Sequence, residues 1–459
     1  MQRVSKGRFS TRERNARSGL DGCIDRCFHG RCQRELSKRQ LYGCPVHPVP
    51  VLNAGTDEGA AVTYRVLLRN RELRGQLASV LIATVPLGMF PITIVLAVHS
   101  WTDSFAVAGW VSAAFTSGSA VGLTAQGHLI DRLGTRSTVV SATAVFVAAS
   151  IAFVVVGEAT AVRSVSALVA LAAVAGASLP EITTAVRVWL ARSTLSSAQR
   201  VASYSLLGAC FQTGLVFGPL LVTAAVPWVG GTGTLVAITL LAIVAAGWFL
   251  RVTHPSATPS IATKAAGRGM PPDRAVLHGP MMAILGVAAV VGAVGGVMTL
   301  VIPRVLAAAG SIELSGLLFA SLAVGEVLGA VVYGMIRWPL GQVAQLAAVV
   351  AATGLMLIVC TFTTGAPWAF AILLFGIGAA SGPVAVLLAA ATEGAASSGA
   401  IGAASGVRIS VSLLASAVGS AVAGASGGIA GSSVVLGVLG SVVLVAAALP
   451  LYMRTVLRA

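Results

Sequence analysis

The sequence predicts an all-α membrane protein, twelve transmembrane helices in two pseudo-symmetric halves of six. Three observations carry that class. Hydrophobic residues make up 56% of the 459 positions and charged residues only 10%, against roughly 25% charged in an average soluble protein, so there is too little polar surface to face water. Apolar runs of about 20 residues, the length that crosses a bilayer as a helix, recur from Leu77 to Met453 between short polar or Gly-rich breaks. Gly118, Gly122 and Gly127 recur as Gly325, Gly329 and Gly334 at an offset of 207, which marks an internal repeat. Aromatics are only 6% while glycines number 52. Small residues of that kind let membrane helices approach closely and point to a helical bundle, not a porin barrel.

The chain divides by composition. Residues 1–61 carry eleven Lys/Arg and six Asp/Glu with no long apolar run, a basic tail whose composition predicts disorder. The spans follow, at 78–98, 105–126, 137–157, 164–186, 202–225 and 233–250, then 279–303, 314–336, 340–362, 367–391, 402–423 and 431–453. Residues 62–252 therefore form the first half and 278–459 the second. The polar segment 253–277, with Pro255, Pro259, Pro271 and Pro272, is the linker between them. If both termini lie inside, sixteen Lys/Arg from Arg65 to Arg458 fall on the cytoplasmic side, and the outer loops keep Arg163 and Arg304. Positive-inside asymmetry of that size supports an even span number and accounts for most of the +15 net charge without nucleic acid.

The stretch Gly127-His128-Leu129-Ile130-Asp131-Arg132-Leu133-Gly134-Thr135-Arg136 joins spans 2 and 3. Its spacing resembles the G-x-x-x-D-R-x-G-R-[R/K] loop of the major facilitator superfamily, with Thr135 in the slot of the first late arginine and Arg136 after it. The resemblance covers roughly residues 63–455 and implies the facilitator fold. Gly127 and Gly134 allow close approach and turning. Asp131 can balance the positive end of a neighbouring helix and pair with arginine. The resemblance places that aspartate near the start of span 11, which makes Arg408 its expected partner; a loop whose charges only meet water is the other reading. In span 5, Gly214, Gly218 and Pro219 form a G-x-x-x-G-P segment similar to that of proton-coupled antiporters, where it bends the helix at the interface between halves. Ser205 and Val222 stand where the fuller pattern has glycine.

Ionisable groups within spans are costly, which makes them functional candidates. Glu181, after Pro180 in span 4, is a candidate proton or substrate site, or a partner of Arg187. Glu326, in the middle of span 8, replaces Ser119 of the repeat and shares a helical stripe with Ala330, Tyr333 and Arg337. It reads either as a coupling carboxylate or as a buried polar contact toward span 5. Arg408 shares a stripe with Ser405 and Ser412, and Gln212 is a further cavity candidate. His99 and Asp103 fall in the first outer loop and are expected to be solvated. Pro86, Pro91, Pro180 and Pro383 mark expected breaks in cavity-lining helices.

Much else is excluded. None of Lys6, Lys38 and Lys264 sits in a G-x-x-x-x-G-K-[S/T] phosphate loop, and neither H-E-x-x-H nor G-x-S-x-G occurs, so no enzyme is expected. Cys23, Cys27, Cys32 and Cys44 with His29 and His47 are zinc-type ligands at an unusual spacing; no metal site and no cofactor are expected. The chain from Val62 looks like the opening of a bacterial facilitator, so residues 1–61 also read as an over-extended translation. The resulting expectation is a monomeric secondary transporter in the bacterial inner membrane, exporting a small organic molecule in exchange for protons. Uptake of a nutrient or metabolite is the alternative. A tethered regulator binding metal or nucleic acid through the tail is the alternative of another class.

Overall fold

The computed structural model describes residues 67–159, 164–193, 197–253, 279–336, 338–395 and 401–451. The tail 1–61 and all of the linker but Thr253 lie outside them. Every regular element among the described residues is helical: α1 Arg71–Thr102, α2 Phe105–Leu133, α3 Thr135–Glu158, α4 Val165–Ser178, α5 Ile182–Arg192, α6 Ser197–Val252, α7 Gly279–Ala308, a 3-10 turn Ile312–Leu314, α8 Ser315–Met335, α9 Gln342–Cys360, α10 Pro367–Ala395, α11 Ile401–Ala425 and α12 Gly428–Ala446. Short polar caps set the starts. The Asn70 side chain accepts from the Glu72 and Leu73 amides, and Ser104 and Ser164 cap α2 and α4.

Three of these elements, α4, α5 and α6, do not match the spans one to one. The fourth span is broken, α4 and α5 being its two parts, divided at Leu179-Pro180-Glu181. Helix α6 is the opposite case. Its 51 membrane-compatible residues from Ala202 to Val252 would measure about 75 Å at 1.5 Å per residue, more than twice the hydrocarbon thickness of roughly 30 Å. It is interrupted at Gly230, whose φ of 68° suits glycine. The packing against α1 shows the reversal: Gly214 and Gly218 follow Thr84 and Gly88 in parallel, whereas Gly231 meets Ala97 and Gly75 meets Val252, antiparallel. Residues before and after Gly230 are therefore spans 5 and 6, and twelve crossings result.

The two halves repeat their packing. Gly118 and Gly122 of α2 sit against the carbonyls of Ala173 and Ala177 around the end of α4; Gly325 and Gly329 of α8 sit against those of Phe375 and Ala379 in α10. Reciprocally, Gly176 meets Phe115 and Ser119, and Gly378 meets Leu322 and Glu326. Helices α1 and α7 are the most enclosed, as befits the centre of the bundle. Ile372, Val445 and Val121 are more than 60% exposed on the outside, an apolar surface suited to lipid. The tryptophans gather toward helix ends: Trp101, Trp110, Trp228 and Trp368 at one end of the bundle, Trp189, Trp248 and Trp338 at the other, as interfacial anchors do.

The halves touch at one end. Opposite the α2–α3 loop, Gly109 of α2 lies against Gly424 and Ser420 of α11, and Gly316 of α8 against Pro219 and Thr223 of span 5. At the loop end, side chains built on Gly127, Gly208, Gly334 or Gly406 would meet no atom within 4 Å. Main-chain contact between the halves seals the bundle at the far end.

Among the expected proline breaks, only Pro180 interrupts its helix. Pro86, Pro91 and Pro383 lie within continuous helices, because a proline in a packed bundle loses one backbone bond that neighbours compensate.

Candidate functional site

A groove of about 710 Å³ runs between span 5 and helices α8 and α10, lined in part by Gln212, Thr213, Glu326 and Gly382. Span 5 belongs to the first half and the other two helices to the second, so the groove crosses the boundary between them. Glu326 is half-buried there. Its backbone can lie close to α10 because Gly378 and Gly382 face it with hydrogen only. Its carboxyl group is within hydrogen-bond reach of the Ser381 hydroxyl. The same residue also lines a second cavity of about 170 Å³ on the other side of α8, inside the second half.

Glu181 is not among the residues lining the groove. It occupies the break in the fourth span, where it makes a side-chain hydrogen bond with Thr184 and feels the charge of Arg187. The break is held by Gln126, a buried amide of α2. Gln126 Nε2 donates to the carbonyls of Ala177 (3.1 Å) and Leu179 (2.8 Å), and its Oε1 accepts from the Glu181 amide at 3.0 Å. One side chain thus supplies what the interrupted helix cannot. Gln126 was not singled out from the sequence. The available signal was a glutamine in an apolar span, one residue before Gly127.

In the α2–α3 loop, Gly134 has φ of 85° and serves as the C-cap of α2 and N-cap of α3, a conformation that favours glycine. Arg136 donates to the carbonyls of Leu250 (3.3 Å) and Thr253 (3.4 Å), the end of span 6, where a cation meets the negative helix terminus. Arg132 is exposed. The Asp131 side chain lies outside the description, as does Arg337. Arg408 is half-buried in α11, and its Nε is enclosed with no hydrogen-bond partner among the described residues. Two turns of that stripe pack on α7, the Ser412 and Ser416 carbonyls meeting Gly292 and Gly296.

In the span 5 motif, Gly214 and Gly218 face α1 of their own half, while the Pro219 carbonyl reaches across to Gly316 and Val216 and Phe217 line the groove between the halves.

Two outer-loop readings are corrected. Arg304 is only 4% exposed and lies in α7, because the span continues past it. It donates to Ser426 (2.9 Å), Ser432 (3.2 Å) and the Gly424 carbonyl (3.1 Å) and stands 5.2 Å from the centroid of Phe105. His99 belongs to α1 and stacks on Phe105 at 4.0 Å between centroids, with Nδ1 buried and without a hydrogen-bond partner among the described residues. Asp103 is the left-handed C-cap of α1, at φ 54°. These groups lie at the sealed end, so Phe105 joins the two halves there.

Comparison with known proteins now adds to this geometry. No curated protein matches the chain in sequence. Among solved structures, it is similar to a nucleoside transporter at 14% identity, with 83% of this chain and 100% of that one covered and a TM-score of 0.63. A D-xylose-proton symporter is similar at 15% identity, with 83% and 96% covered and a TM-score of 0.63. A POT peptide transporter in complex with alafosfalin is similar at 13% identity, with 83% and 94% covered and a TM-score of 0.65. Identities that low establish the fold alone. The family profile of the Major Facilitator Superfamily matches residues 75–308, more than half of the chain, and the protein belongs to that superfamily.

Proposed function

We propose that the chain is a proton-coupled exporter of a small organic molecule in a bacterial inner membrane, working as a monomer by alternating access. The observation that carries this reading is the groove shared by the two halves, with Glu326 and Gln212 in its wall, and the main-chain contact that seals the end opposite the α2–α3 loop. Residues 62–252 and 278–459 are the two rocking bodies, and 253–277 is the tether between them. With the positive-inside rule applied to the sixteen Lys/Arg, the Gly127–Arg136 loop and both termini face the cytoplasm, and the sealed end faces outward.

Glu326 is the coupling group. A proton on it must change the relative stability of the inward and outward openings, otherwise the gradient drives nothing. Glu181 is the second candidate, at the only helix break among the expected ones. Asp131 and Arg408 form the latch that ties α2 to α11 when the inner end closes, and Gly214, Gly218 and Pro219 set the pivot of span 5. Export is favoured by the likeness of that segment to antiporters.

The test is a substrate panel in everted vesicles with and without a protonophore, followed by Glu326→Gln and Glu181→Gln. Gradient-driven transport should be lost with expression retained; full coupling in both variants rejects the assignment. Uptake is the second reading, supported by the fold shared with a D-xylose-proton symporter, and the direction of the response to an imposed pH gradient separates the two. Deleting residues 1–61 should leave transport unchanged; loss of function would favour the tail-based regulator instead.

A further inference from the structure

We infer that the cavity inside the second half is a binding pocket for the hydrocarbon arm of an organic cation, with Glu326 as the counter-charge in its wall. The inference rests on the reading of the groove as the transport passage and names the class of molecule that enters it.

The cavity measures about 170 Å³ and is walled mainly by apolar side chains, among them Val290, Val294, Met298, Val350 and Val384. An apolar space of roughly 150 Å³ accepts a molecule the size of benzene. Its few polar groups are not free to donate. The Thr353 hydroxyl donates to the Val349 carbonyl at 3.0 Å. The single proton of Ser381 is shared between the Gly378 carbonyl at 3.0 Å and the Glu326 carboxyl group. With Glu326 deprotonated, what remains is acceptor capacity and one carboxylate, which suits a cationic donor and repels an anion.

Glu326 is also the only ionisable side chain lining either this cavity or the groove among the described residues. Glu326 lines both spaces, so a cation whose arm fills the inner cavity can place its charge on it. Two glycines make the two spaces separately addressable. Gly295 lines the inner cavity and Gly208 the groove, and a side chain built on either meets no atom within 4 Å. Both lie inside helices, where replacement of glycine favours folding.

The experiment is titration calorimetry on the purified full chain with phenethylammonium and its uncharged counterpart 2-phenylethanol. The cation should bind at least tenfold more tightly than the alcohol. Glu326→Gln should bring the cation down to the level of the alcohol and leave the alcohol unchanged. Gly295→Leu should weaken both at least tenfold, and the smaller Gly295→Ala about threefold. Equal affinity of the two probes in the unmodified protein overturns the inference, as does unchanged binding in folded Gly295→Leu, or in Gly295→Ala should the leucine variant not fold. Weakening by Gly208→Leu alone places the ligand in the groove only and also overturns it. Charge-selective binding without gradient-driven movement of the cation supports the pocket and defeats the exporter reading; coupled transport of other compounds without such binding defeats the pocket alone.

Discussion

The fourth span is broken and the tenth is not, although the same glycines pack both. Gly122 and Gly329 press against equivalent carbonyls, those of Ala177 and Ala379, and each partner segment carries a proline, Pro180 or Pro383. The difference lies one residue before the glycine of the loop. Gln126 of α2 turns its amide onto the interrupted backbone, bonding Ala177, Leu179 and Glu181. At the repeat position stands Tyr333, whose hydroxyl goes instead to Gln345 of α9, and α10 runs on through Pro383. A duplicated architecture thus keeps its backbone contacts, which depend on the absence of side chains, and varies by the polar side chains that surround them.

The comparison can be broken most severely at the shared contacts. Gly122→Leu and Gly329→Leu each force a side chain into a backbone carbonyl, and each should cost on the order of 3 kcal/mol or more; thermal unfolding of the purified variants should show equal losses. A large inequality would mean that the two halves are not packed alike. Next comes the amide itself. Gln126→Ala leaves two carbonyls and one amide without partners and should destabilise the protein by about 2 to 3 kcal/mol, while substrate affinity falls less than turnover if the break is a hinge. Tyr333→Phe, its counterpart, removes one hydrogen bond and should cost about 1 kcal/mol by the same measurement. The smallest effect belongs to Arg136→Ala, at about 0.5 kcal/mol, since it removes an exposed cation from the end of span 6 and the contribution should fade at high salt.

Much of this architecture was legible in the sequence because hydrophobic length and glycine spacing are one-dimensional signals. The twelve spans, the repeat and the turn at Gly134 all follow from them. What escaped detection depended on partners distant in sequence. The role of Gln126 is set by carbonyls more than fifty positions away, and a neutral amide in an apolar span does not say which backbone it will meet. Arg304 and His99 were read as loop residues because a charge or an imidazole near a span boundary ordinarily marks water; here each has an aromatic neighbour in Phe105 that only the folded bundle brings. Within the candidate site, Glu326 stood out as an ionisable group amid an apolar run. Its position between two cavities was invisible, because that depends on helices from both halves.

Where Gly109 meets Gly424, the far end is shut by main chain lying on main chain. Interlocking side chains must change rotamer in concert before such surfaces part, whereas two smooth ridges have nothing to disengage. Arg304 over Phe105 is a side-chain contact across that boundary which must let go, so this door slides on smooth rails behind a bolt.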